Sequence, residues 1–138
     1  YCIIQSGSTV HSLGEYEKAI VDYDKSIALD PNDASAYNNR GFAYKKIKDY
    51  EKAIADYEKA IALEPNDATT YFNRGVIYRD LEQYNKALED FDRVILLNPN
   101  DFDGYEYRAK IYKLMGDSEK AAQDRAKAKE LKGNRQEL

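Results

Sequence analysis

The sequence predicts an all-α fold of stacked helix pairs. Three observations predict it: a fixed 34-residue period, apolar residues at helical spacing within each period, and helix-capping or helix-breaking residues between them. The period shows first in the prolines. Asp30-Pro31-Asn32-Asp33, Glu64-Pro65-Asn66-Asp67 and Asn98-Pro99-Asn100-Asp101 are spaced 34 residues apart. Other columns keep the same step. Tyr37, Tyr71 and Tyr105 do so, as do Tyr44, Tyr78 and Tyr112, and Arg40, Arg74 and Arg108. So do Lys18, Lys52, Lys86 and Lys120, Ala19, Ala53, Ala87 and Ala121, and Leu29, Leu63, Leu97 and Leu131.

Taken in order, the first unit (residues 1–33) is degenerate. Ile3, Gly7, Val10 and Leu13 hold the right slots, but Ser6-Gly7-Ser8-Thr9 has poor helix propensity and predicts a short or frayed helix. Its second helix, Glu15–Leu29, is sound. The unit 34–67 is complete. Tyr37, Gly41, Tyr44 and Ile47 mark a helix over Ala34–Lys48, with Asp33 as its N-cap. Asp49 caps a second helix whose stripe runs through Tyr50, Ala53, Ile54, Tyr57, Ala60, Ile61 and Leu63, and Pro65 ends it. Gly41 and Ala53 remove bulk where the two axes cross. The unit 68–101 repeats the pattern. In the last unit (102–132) Arg125 and Lys129 replace apolar residues and Gly133 replaces the proline, which predicts a polar capping helix followed by a tail, 133–138.

The 34-residue unit carries Tyr37, Gly41, Tyr44, Ala53, Tyr57, Ala60 and Pro65 at the spacings of the tetratricopeptide repeat signature, and Gly75, Tyr78, Ala87, Phe91 and Pro99 repeat it. The whole chain, 1–138, resembles a single tetratricopeptide repeat solenoid of about four units, the first and last atypical. The resemblance implies antiparallel helix pairs, a right-handed superhelix, and a concave groove lined by the first helices that binds a peptide or helical segment of a protein partner. It implies no enzymatic activity.

Bulk properties exclude other classes. The net charge of −4 speaks against nucleic acid or a membrane surface as the main ligand, because phosphates need clustered Lys and Arg. No apolar run approaches the roughly 20 residues of a membrane span. One cysteine, Cys2, permits no internal disulfide and fits a reducing, cytoplasmic setting. The opening Tyr1 points to a fragment or processed product. With a single histidine, His11, and no metal-ligand or phosphate-loop spacing, no catalytic, cofactor or metal residue is expected.

Two sets of functional positions follow. The arginine column stands where the family more usually has an aliphatic residue, and Asp22, Asp56, Asp90 and Asp124 form a matching column on the second helices. Structural Arg–Asp pairs are therefore expected, against the alternative of ligand contact. Peptide contact on the concave face is expected from Asn38, Asn39, Phe42 and Lys45, then Phe72, Asn73, Val76 and Arg79, then Tyr107 and Lys110. Asparagines in the slot of Asn39 and Asn73 hold peptide backbone in some family members, and an amide both donates and accepts. Phe42, Phe72 and Val76 serve either as anchors for a partner or as packing between first helices. The lysine and arginine slots of the family's chaperone-tail clamp hold Ile4, Thr69 and Asn73, or Asn38, Asp103 and Tyr107, so a chaperone C-terminal tail is not expected. The rival function is self-association, forming a homo-oligomer through the open repeat ends.

Overall fold

The computed structural model describes residues 9–137, with side chains described over 13–135. Among them are seven helices and no strand: α1 (Thr9–Leu29), α2 (Ala34–Lys46), α3 (Tyr50–Leu63), α4 (Ala68–Asp80), α5 (Tyr84–Leu97), α6 (Phe102–Leu114) and α7 (Ser118–Glu137). None of them is long and apolar enough to cross a membrane. The chain divides between Pro65 and Asn66 into two compact units.

In the first unit α1 packs on α2 and α2 on α3. The three-residue connection between α2 and α3 makes that pair antiparallel. Its core is Tyr37, Ala43, Ala53, Tyr57 and Ala60, all buried. Gly41 lets the pair close: a Cβ there would come within 2.9 Å of the Tyr57 ring. In the second unit α4 packs on α5, α5 on α6 and α6 on α7, around Tyr71, Ile77, Phe91, Val94 and Ile111. A Cβ on Gly75 would meet the Phe91 ring at 3.1 Å, so the same close approach recurs.

The turns inside the helix pairs are of one kind. Lys48, Glu82 and Gly116 have φ of 67°, 60° and 86°. After them the N–H groups of Asp49, Gln83 and Asp117 donate to the carbonyls of Tyr44, Tyr78 and Tyr112 at 2.9, 2.8 and 2.8 Å, which closes a Schellman motif. N-caps then start the next helices. Asp33, Asp67 and Asp101 accept from the N–H of Ser35, Thr69 and Asp103, and Asp49 and Asp117 from those of Lys52 and Lys120. Gln83, in the same slot as Asp49, makes no side-chain cap.

Both end helices depart from the prediction. α1 runs from Thr9 through Gly14 to Leu29 without the turn that the repeat frame places there. The slots of Lys48 and Asp49 hold Gly14 and Glu15, and Glu is a poor N-cap, so nothing stops one helix and starts another. The expectation of a frayed helix over Ser6–Thr9 lies largely outside the described residues. At the other end, α7 continues to Glu137, so residues 133–137 are helix and not a tail. Gly133 tolerates helical geometry where Pro31, Pro65 and Pro99 forbid it.

Candidate functional site

The arginine column forms bidentate ion pairs across each helix pair. Arg40 Nε and Nη2 donate to Asp56 at 2.8 and 2.7 Å, Arg74 to Asp90 at 3.0 and 2.7 Å, and Arg108 to Asp124 at 2.7 and 2.8 Å. All three carboxylates are buried. Arg40 also reaches Asp24 and Arg108 reaches Asp92, at 2.8 and 2.9 Å. Asp22 is the exception. It is exposed on α1 and makes no ion pair among the described residues, because its own unit has Ser6 in the arginine slot. The hydrogen bonds that Arg40 donates to Asp56 raise its pKa above its ordinary value, and those that Arg108 donates to Asp124 do the same for Arg108. Burial lifts the Asp90 carboxyl, and Arg74 pulls it back.

The tyrosine columns complete this arrangement, which sequence reasoning missed. Each guanidinium carbon lies 5.7–5.9 Å from two ring centroids of its own helix: Tyr37 and Tyr44, Tyr71 and Tyr78, or Tyr105 and Tyr112. Lys52, Lys86 and Lys120 cover the second ring of each set at 5.6, 5.5 and 5.6 Å. The signal was available as Tyr at three before and four after each Arg, a spacing that puts ring and cation on one helix face.

The face expected to meet a peptide is only partly open. On α2, Asn39 is exposed, Asn38 and Lys45 are half-buried, and Phe42 is 37% exposed. The ammonium groups of Lys45 and Lys46 stand 5.6 and 5.2 Å from the Phe42 ring centroid. On α4, Val76 is buried at 8% and cannot line an open groove. Phe72 packs edge-on to Phe91 and Tyr107, with centroids 5.7 and 4.6 Å apart, so it cements α4, α5 and α6. Both contacts have the edge-to-face geometry that aromatic pairs favour. Asn73 and Arg79 are half-buried, Tyr107 is half-buried, and Lys110 is exposed. Arg79 and Lys110 both cover the Tyr107 ring, at 5.7 and 4.6 Å.

A further feature lies at the end of the second unit. The α5–α6 loop and the last turns of α7 enclose an open cleft of about 810 Å³. Among the described residues no cluster of His, Cys, Asp or Glu is placed to hold a metal ion.

Comparison with known proteins agrees with this geometry. Tetratricopeptide repeat models match residues 34–67 and 68–101, and 91–123, and a TPR repeat model matches 7–48. Among solved structures, a MamA protein is 27% identical, with 89% of this chain and 67% of that one covered and a TM-score of 0.83. MamA 41-end from Desulfovibrio magneticus RS-1 is 29% identical, with 91% and 71% covered and a TM-score of 0.82. The first TPR of Spaghetti (RPAP3), bound to the HSP90 peptide SRMEEVD, is 31% identical, with 75% and 82% covered and a TM-score of 0.72. No curated protein matches.

Proposed function

The chain belongs to the tetratricopeptide repeat family, and we propose that it holds an extended peptide segment of a protein partner against its first helices. The family's members are protein-interaction scaffolds, and in their superhelices the first helices line the inner curve. In the first unit of this chain that helix is α2, and the proposed contact lies on it. Phe42 carries the reading: it is a large aromatic that the fold does not bury, bracketed by two ammonium groups and one turn from the open amide of Asn39. An apolar side chain of the partner would cover the ring, a neighbouring Asp or Glu would meet the lysines, and Asn39 would hold the backbone. The helices are set before binding, so the ordering cost falls on the ligand.

The HSP90 peptide of the RPAP3 complex is not assigned to this chain, because the clamp positions Thr69, Asn73, Asp103 and Tyr107 lack its lysines and arginine. The scaffold acts without chemistry of its own, and a cytoplasmic setting goes with the single cysteine. A phage-displayed peptide library panned on the full chain tests the proposal. Enriched peptides should lose about tenfold or more in affinity against the Phe42→Ala/Asn39→Ala variant. No enrichment, or equal affinity for the variant, defeats the reading.

One observation favours self-association as a second reading. Ala19 and Tyr23 on α1 are half-exposed, whereas their counterparts Ala53, Tyr57, Ala87 and Phe91 are wholly buried. Light scattering over a concentration range decides it: a strict monomer removes this reading and leaves the first intact.

A further inference from the structure

We infer that the cleft between the α5–α6 loop and the last turns of α7 is a docking pocket for a partner segment that carries a Lys or Arg beside an apolar residue. The pocket is a product of Gly133. Because no proline stops α7, the helix runs past the slot where the other second helices end, and Leu131, Asn134 and Arg135 form a wall opposite residues 97–101. The cleft of about 810 Å³ shares Asn98, Asp101 and Asp103 with a neighbouring one of about 190 Å³ that reaches Thr69 and Phe72. Together they have the volume of a ligand site.

The lining fixes the chemistry of the occupant. Leu97, Pro99 and Leu131 supply apolar walls, and the amides of Asn98, Asn100 and Asn134 can pair with peptide N–H and C=O groups. The charged residues of the lining are Asp101, Asp103 and Arg135, two carboxylates against one cation, and Glu106 and Lys132 act on Asp103 from beside the cleft. Both cations are already engaged. Lys132 pairs with Glu106 at 2.7 Å and stands 5.0 Å from the Phe102 ring centroid, and Arg135 stands 5.6 Å from the same ring. Burial, then repulsion from Asp101 and Glu106, lifts the Asp103 carboxyl above its ordinary value. A cation entering the cleft would relieve that repulsion, and a second carboxylate would add to it.

The test uses the full chain, ¹⁵N-labelled, with acetyl-Leu-Arg-Leu-amide and acetyl-Leu-Glu-Leu-amide as probes. The Arg peptide should give saturable shifts at the amides of Asn98, Asn100, Asp103 and Asn134, and the Glu peptide should bind about tenfold more weakly or worse. Asp103→Asn should weaken the Arg peptide several-fold. Gly133→Pro should abolish its binding and leave the α2–α3 signals in place, since proline stands in that slot in the other repeats. Equal binding of the two peptides, or unchanged binding to Gly133→Pro, overturns the inference. So do cleft shifts that appear on raising the protein concentration alone, which would make the occupant a second copy. The Phe42→Ala/Asn39→Ala variant should bind the Arg peptide normally, which separates this outcome from that of the α2 face.

Discussion

The helices at the two ends of the chain and the helices between them share one repeat frame but stop by different rules. Between Ala34 and Leu114 every helix ends where a left-handed residue, a capping Asp or a proline stands. Ala19 in α1 and Ala121 in α7 keep the phase of their column, yet Gly14-Glu15 and Gly133-Asn134 carry no stop, and both helices run on. Amphipathic patterning therefore decides which face of a helix is buried, while a few cap and turn residues decide its length. The glycines differ in the same way. Gly41 and Gly75 are pressed against a neighbouring ring, but Gly14 and Gly133 have nothing within 4 Å of a built Cβ.

The largest expected effect breaks the paired middle. Arg74→Ala strands the buried Asp90 carboxylate and should cost about 3 kcal/mol, read from urea unfolding. The double change Arg74→Met/Asp90→Leu should recover most of it, and if it does not, the ring contacts of Arg74 matter more than the ion pair. Next, Gly41→Ala should destabilise by about 2 kcal/mol because the Tyr57 ring has nowhere to move. Gly133→Ala should instead stabilise by about 0.5–1 kcal/mol through helix propensity alone. Equal signs for the two glycines would erase the distinction between middle and end.

Tyr57 and Phe91 hold one slot in two repeats, and both are 0% exposed. The Tyr57 hydroxyl has no hydrogen-bond partner, so Tyr57→Phe should stabilise by about 1 kcal/mol. Burial raises the phenol well above its ordinary value of 10.0, with Asp56 adding to it. Above that pH the unfolded chain loses a proton that the folded chain keeps, so stability falls as pH rises. Tyr57→Phe should flatten that alkaline limb in pH-dependent melting. The smallest effect is at a turn: Gln83→Asp should add up to about 1 kcal/mol by supplying the cap that Asp49 and Asp117 provide.

The period, the helix pairs and the Arg–Asp partners were legible because each recurs, and recurrence separates a packing slot from chance. What was not legible was how burial divides one helix face. Phe42 and Val76 occupy the same slot, but one is open and the other is closed, since burial depends on which neighbours arrive and not on the residue's own helix. Phe72 was readable as apolar, but its contact with Tyr107 joins two repeats and has no trace in either alone. The cleft beside α7 was hidden for another reason: the sequence states that a proline is missing, but not what the unstopped helix then faces.

The Arg–Asp bonds across helices join residues only 16 positions apart. Such short loops lose little entropy on closing, and a chain held together by near neighbours folds fast, on roughly a microsecond-to-millisecond scale. On the ribosome, each hairpin of helices can clasp as soon as its second arm emerges, long before the rest of the polypeptide has been made.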